Sequence, residues 1–157
     1  MKKPLLIIFL AVILLTSCAV KPAEPELKFR KRIKVSFNST KITAEISSDS
    51  HKLLTITLKS QMKGCVYAYR DGKIKITYRN LFVSAEDNYL PDSAFPQKVY
   101  NVYKRLRLGK YELKRANNSF AEYKGESESG GFILRTDIKT GEPIELSVSD
   151  NLNIKFE

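Results

Sequence analysis

The sequence predicts a mainly β domain of about eleven antiparallel strands, curled into an incomplete barrel with one amphipathic helix as its lid. Three observations support this fold class. From Leu27 onward, apolar and polar residues alternate with a period of two, which is typical of strands with one buried and one solvated face. Turn residues recur at intervals of roughly 8 to 12 residues, as in antiparallel meanders. A single segment breaks the alternation and has helical spacing instead.

The strand predictions begin with three runs of regular alternation, at 33–37, 42–46 and 54–58. The pair Asp71-Gly72 favours a two-residue type I′ turn, so residues 67–70 and 73–78 are predicted to form a hairpin. Further strands are expected at 81–84, 111–114, 119–124, 131–137, 143–149 and 152–156. So many strongly twisted strands do not stay flat, and we therefore expect the sheet to curl.

The helix is predicted from one apolar stripe, which is formed by Phe95, Val99, Val102, Tyr103 and Leu106. Asp92 or Ser93 is expected to cap its start, because both side chains accept hydrogen bonds from free backbone N–H groups. Pro96 is tolerated only in the first turn, and Gly109 is expected just after the end. The stripe must be buried, and the dry face of the sheet is available to bury it.

The concave face of such a sheet leaves two alternatives, a filled core or an apolar cavity of ligand size. About five large helical side chains cover less area than about three inward residues on each strand offer, which favours a cavity. The residues expected to line it are Val35, Phe37, Ile56, Leu58, Ile76, Val99, Val102 and Leu106. Each of them is equally well explained as part of a packed core.

Cations cluster toward the C-terminal half of the predicted helix, where they suit the helix dipole. They are Lys98, Lys104, Arg105 and Arg107. If the cavity takes an acyl chain, these side chains are predicted to steer its anionic headgroup.

The first residues have the layout of an export signal, with Lys2 and Lys3 before an apolar run of 11 residues from Leu5 to Leu15. This run is shorter than the about 20 apolar residues that span a bilayer. The segment Leu15-Thr16-Ser17-Cys18 resembles the lipobox of bacterial lipoproteins. The resemblance implies cleavage before Cys18, acylation of its thiol and stable anchoring by lipid; an ordinary secreted protein is the alternative.

The chain therefore divides into a signal peptide at 1–17, a lipidated cysteine with a flexible tether at 18–26, and a single domain at 27–157. The tether is predicted from two prolines, two acids and no periodicity. Ala19 after the cysteine resembles the signal for outer-membrane delivery in cells with two membranes. In a cell with one membrane the protein would lie on the outer face of the cytoplasmic membrane.

Charge and cysteine content narrow the classes of partner. Loss of Lys2 and Lys3 with the signal lowers the formal charge from +10 to +8. An exported basic protein meets anionic lipids or acidic envelope polymers rather than nucleic acid, although a solvated lysine-rich surface is an equal explanation. Cys65 has no partner once Cys18 is acylated, and it is predicted to be a buried, inert thiol. We do not expect His51, which lies in a polar turn, to act as a catalytic partner of this thiol.

We expect no enzymatic activity, no cofactor and no metal, because one histidine and one free cysteine leave no ligand set. No glycine-rich phosphate loop or nucleophile elbow is present. Ser127 and Ser129 are expected to belong to a solvated loop, and the adjacent acids Glu86 and Asp87 are expected to face solvent.

The order of elements, with a helical interruption at 90–106, resembles the carrier and receptor proteins of the Lol lipoprotein-trafficking system. The run from Asp137 to Leu146 matches the D-x-x-T-G-x-P-x-x-L hairpin common in that superfamily. The resemblance implies a half-barrel lidded by helix and a ligand class, the acyl chains of lipids or lipoproteins; it assigns no binding residue. The alternatives are an envelope protein–protein interaction module and a structural lipoprotein without a specific ligand.

Overall fold

The computed structural model describes residues 21–49, 53–149 and 151–157. The predictions for the signal peptide, Cys18 and His51 fall outside these residues and stay predictions. The described strands are β1 (Lys28–Phe37), β2 (Thr40–Asp49), β3 (Leu53–Leu58), β4 (Val66–Arg70), β5 (Lys73–Tyr78), β6 (Leu81–Glu86), β7 (Glu112–Ala116), β8 (Phe120–Ser127), β9 (Gly130–Asp137), β10 (Pro143–Val148) and β11 (Leu152–Phe156). One helix, α1 (Phe95–Arg107), lies between β6 and β7.

The eleven described strands form one antiparallel sheet in the order β6-β5-β4-β3-β2-β1-β11-β10-β9-β8-β7. Every strand pairs with its sequence neighbour except at the centre, where β1 pairs with β11 and aligns Val35 with Ile154. The edges β6 and β7 do not pair with each other, so the sheet is not closed into a barrel. The predicted fold class is confirmed: the described residues form a mainly β, antiparallel, incomplete barrel with one helix.

The hairpin predicted at Asp71-Gly72 is confirmed by both its register and its backbone. Arg70 pairs with Lys73, which leaves a loop of two residues. Asp71 and Gly72 have φ values of 50° and 76°. A type I′ turn requires positive φ at both central positions, and these are the residue types that tolerate it.

The helix α1 packs its apolar stripe against one face of the sheet, and Val99 and Val102 are completely buried there. The predicted cap is wrong: the residue before the helix is Ala94, which makes no side-chain capping bond. Pro96 in the first turn has no N–H, which removes one of the donors that a capping side chain would satisfy. Asp92 instead accepts a hydrogen bond from the Asn101 amide (3.1 Å). Gly109, with φ of 64°, follows the helix as predicted.

Residues 23–26, at the end of the predicted tether, form hydrogen bonds with the domain. The Ala23 amide donates to the Ile138 carbonyl (3.0 Å), and the Glu26 amide donates to the Gly141 carbonyl (2.8 Å). The Tyr123 hydroxyl donates to the carbonyl oxygen of Ala23 (2.7 Å). From Ala23 onward the segment therefore belongs to the domain, held against the turn between β9 and β10.

Burial of Pro25 and the glycine in that turn explain why the segment docks there. Pro25 is buried in spite of its place before the first strand. A Cβ on Gly141 would collide with the backbone of Glu24. Gly141 also has φ of 73°, a conformation that glycine adopts without strain. The T-G-x-P sequence thus forms a tight turn and also the surface on which the N-terminal segment packs.

Candidate functional site

The residues predicted to line a cavity are brought together by the structure, in one cluster between α1 and the sheet. Six of them are buried in that cluster: Val35, Ile56, Leu58, Val99, Val102 and Leu106. Phe37 and Ile76 are partly buried and pack against it. Ligand binding by these eight residues stays a prediction, because the same contacts form an ordinary core.

A cleft of about 960 Å³ lies beside this cluster, at the C-terminal end of α1. It is bounded by the loop after the helix and by strands β7 to β10, and its lining residues are Arg105, Gly109, Lys110, Tyr111, Glu112, Lys124, Gly125, Glu126, Gly131, Phe132, Ile133, Ser147 and Ser149. None of the eight predicted lining residues belongs to it. Of the four predicted headgroup cations, only Arg105 lines it.

Glycine 125 allows the loop after the helix to approach the sheet beside the cleft. A Cβ at Gly125 would lie 2.5 Å from the Phe132 ring and 2.9 Å from the Lys110 carbonyl oxygen. Gly125 and Phe132 are paired across β8 and β9, so the ring fills the space that a side chain would take. The one sequence feature that could have indicated this approach was a glycine within an otherwise regular strand, because such a glycine marks a close backbone approach.

Charge in the cleft is mixed, with cations and acids on facing elements. The Lys124 ammonium lies 3.3 Å from the Glu112 carboxylate, and the Arg105 guanidinium lies 3.4 Å from Glu128. The Nε atom of Arg105 is buried and has no hydrogen-bond acceptor among the described residues. A buried donor without an acceptor is costly, and here it lies on a residue that lines the cleft.

The other three predicted headgroup cations lie elsewhere on α1. The Lys98 ammonium is buried and donates to the Ser129 carbonyl (3.4 Å). Lys104 and Arg107 lie 5.8 Å and 5.9 Å from the ring centre of Tyr100. Lys98 therefore faces a protein carbonyl, and the other two contact an aromatic ring.

A polar network links α1 to β4 and to the turn between β8 and β9. The Asn101 amide donates to the Ser129 hydroxyl (2.9 Å) and also contacts Asp92. The Gln97 amide donates to Asn101 (3.1 Å), and the Tyr69 hydroxyl donates to Gln97 (3.3 Å). Because these side chains are mostly buried, the network helps to fix the position of the helix beside the apolar core.

Two stacked tyrosines lie at the inner side of this network. The rings of Tyr69 and Tyr100 are parallel to within 9°, with centres 4.1 Å apart. The Tyr100 hydroxyl donates to the Asp87 carboxylate (2.7 Å). Burial, followed by that hydrogen bond, raises the pKa of Tyr100 above its ordinary value. Both tyrosines are thus neutral structural donors and not acids.

An ionic network crosses β7 to β10 on the face of the sheet that points away from the apolar core. Glu122 is buried and accepts two hydrogen bonds from the Arg115 guanidinium, at 2.6 and 2.7 Å. Arg135 donates to Glu122 (2.9 Å) and to Glu145 (3.1 Å). The Arg115 hydrogen bonds, with support from Arg135, lower the pKa of Glu122 to about 2. This network was not predicted, because it depends on the register of four strands.

Within the described ranges, no three histidine, cysteine or acidic side chains come together as a group that could hold a metal ion. Cys65 is buried there, as predicted. In the same part of the chain, no helix has both the length and the apolar character needed to cross a membrane.

Comparison with known proteins gives one kind of match. No protein-family model matches the chain, and no curated protein matches it. Among solved structures, the LolA superfamily protein NE2245 from Nitrosomonas europaea is similar over 90% of this chain and 72% of that chain, with 10% sequence identity and a TM-score of 0.39. A likeness of this degree carries no inference about this chain.

Proposed function

We propose that this chain is a lipid-anchored protein of the bacterial envelope that binds an acyl-chain amphiphile, with the headgroup in the cleft beside α1. It would take part in lipid or lipoprotein trafficking as a passive binding protein and not as an enzyme. Anchoring would be through acylated Cys18, in the outer membrane where the cell has two membranes. The observation that carries the binding proposal is the cleft itself, with the cations Arg105, Lys110 and Lys124 in its lining.

The headgroup is the part of the ligand that the cleft recognises. Arg105, Lys110 and Lys124 line it, and an anionic oxygen in the cleft would accept hydrogen bonds from these cations. Hydrogen bonds from a guanidinium to an anion are among the stronger ones in proteins. The anion would also compete with Glu128, whose contact with Arg105 is long at 3.4 Å.

The acyl chain would pass from the cleft toward the core along Phe132. Phe132 lines the cleft and also belongs to the apolar cluster under α1, so it connects the two. The cleft volume of about 960 Å³ lies at the upper end of the roughly 300–1,000 Å³ usual for small-molecule sites. Burial of the chain would contribute about 25 cal/mol per Å² of apolar surface.

Binding is tested with residues 21–157, which contain all the described strands, the helix and the apolar cluster between them. Native mass spectrometry of this domain from cells should reveal copurified lipid, and a fluorescent long-chain fatty acid should bind. Arg105→Gln should weaken the fatty acid by about tenfold. Lys155→Gln is the matched control, because Lys155 is exposed and lies outside the cleft. No copurified lipid and no fatty-acid binding would contradict the proposal.

Anchoring is tested separately in cells with the full chain. Metabolic labelling with palmitate should mark the wild-type protein, and Cys18→Ser should lose both the label and membrane fractionation. A labelled protein that binds no fatty acid would indicate a structural lipoprotein. An unlabelled protein that binds the fatty acid would indicate a secreted carrier.

A further inference from the structure

One edge of the sheet ends in apolar side chains that the molecule leaves in solvent. Strand β6 is the edge next to β5. Leu81, Phe82 and Val83 are exposed by 74%, 69% and 44%. Edge strands of soluble proteins normally carry charges, prolines or bulges that discourage contact, and these three consecutive residues carry none of them. The exposed residues therefore mark an interaction surface.

The side chains of this surface point to both faces of the sheet. Successive residues of a strand alternate between faces, so Leu81 and Phe82 lie on opposite sides of β6. A partner that covers one flat face would bury only one of them. Both are buried together only when the end of the hairpin is surrounded by an apolar phase.

Cations flank the same hairpin. The Lys75 ammonium lies 5.5 Å from the centre of the Phe82 ring, and the Arg79 guanidinium lies 5.2 Å from that of Tyr78. Arg79 is exposed in the turn between β5 and β6. A second copy of the chain would bring two such cationic tips together, whereas anionic headgroups would pair with them.

We propose that the β5–β6 tip, formed by Arg79, Leu81, Phe82 and Val83, inserts into an anionic lipid surface. The apolar side chains enter the boundary between headgroups and acyl chains, while Arg79 and Lys75 hold the phosphates. The tip belongs to edge β6 and the cleft borders edge β7, at opposite ends of the strand order. The membrane contact is thus independent of the proposed ligand site.

The experiment uses residues 21–157, so that no acyl group on Cys18 contributes. Sedimentation with phosphatidylcholine vesicles should show weak binding, and vesicles containing phosphatidylglycerol should bind much more protein. Phe82→Ser combined with Leu81→Ser should weaken binding to the anionic vesicles by about tenfold or more, given the apolar area lost. Leu113→Ser is the matched control, because Leu113 is 49% exposed on the other edge strand, and it should change binding less than twofold.

Three results would overturn the proposal. The first is equal binding by the double variant and the wild type. The second is binding that Lys75→Gln and Arg79→Gln abolish while the apolar double variant keeps it, which would indicate a polyanion site. The third is a concentration-dependent dimer, without vesicles, that the double variant loses; this would assign the tip to a second copy. Fatty-acid binding by the double variant should remain at the wild-type level, which separates this proposal from the proposed ligand site.

Discussion

The two edges of the sheet are both largely exposed and are built in opposite ways. All five residues of β7 are exposed, and Glu112, Lys114 and Arg115 are charged. A register shift between Leu113 and Arg115 also breaks the regular pairing of β7 with β8. β6, in contrast, begins with three apolar residues in regular register with β5. Edge β7 is therefore protected against further contact by charge and a bulge, whereas β6 is not.

The difference extends into the sheet behind each edge. Arg115 of β7 belongs to the Glu122 network, which crosses β7, β8, β9 and β10. The cations behind β6 contact aromatic rings instead. The charge on edge β7 thus stabilises the fold, whereas the cations behind edge β6 stay available to a partner. Single substitutions at the two edges should separate stability from binding.

The largest effect is expected in the helix that connects the two edges. Val99→Arg places a charge at a fully buried position of α1, and it should cost about 4 kcal/mol or more and prevent folding. Val99→Ala should cost only about 1–3 kcal/mol and keep the fold. Urea denaturation followed by circular dichroism measures both. A folded Val99→Arg protein would show that the space under the helix is open to solvent or ligand.

The second effect is expected at the Glu122 network behind edge β7. Glu122→Gln leaves Arg115 and Arg135 without their shared carboxylate and should lower the free energy of unfolding by about 2 kcal/mol, since removal of one partner of a buried pair is costly and both arginines are partly solvated. The urea midpoint measures the loss. Glu112→Gln is the control on the same edge, where an exposed pair with Lys124 should contribute less than about 1 kcal/mol.

The same carboxylate predicts how stability depends on pH. The pKa of Glu122 is lowered from 4.5 to about 2 in the folded protein. The unfolded chain therefore binds more protons between these values, so the stabilisation is complete above about pH 5 and is lost as the pH falls toward 2. We expect wild-type stability to fall by about 1–2 kcal/mol more than that of Glu122→Gln between pH 5 and about pH 3. If the stabilities of the two proteins fell by the same amount as the pH was lowered, this result would contradict the lowered pKa of Glu122.

Local features of the fold were predictable from the sequence, because alternation and turn chemistry act between near neighbours. The strands and the Asp71-Gly72 hairpin are examples. The cleft depends on Gly125, Phe132 and the loop after the helix, which only the pairing of β8 with β9 brings together. The N-terminal segment was predicted as a tether because its prolines and acids lack periodicity. Its packing against Gly141 was not predictable, because that contact joins residues more than a hundred positions apart.

The smallest effect on stability, and the sharpest test of the comparison, is expected at the β5–β6 tip. Phe82 is 69% exposed and buries little area, so Phe82→Ser should change the free energy of unfolding by less than about 0.5 kcal/mol. Leu113→Ser on edge β7 should be equally mild. Only Phe82→Ser should reduce binding to anionic vesicles, because conserved stability with lost binding is what an interaction surface predicts. If Phe82→Ser lowered the thermal midpoint by several degrees, the ring would instead be part of the fold, and the contrast between the two edges would be one of packing and not of partner.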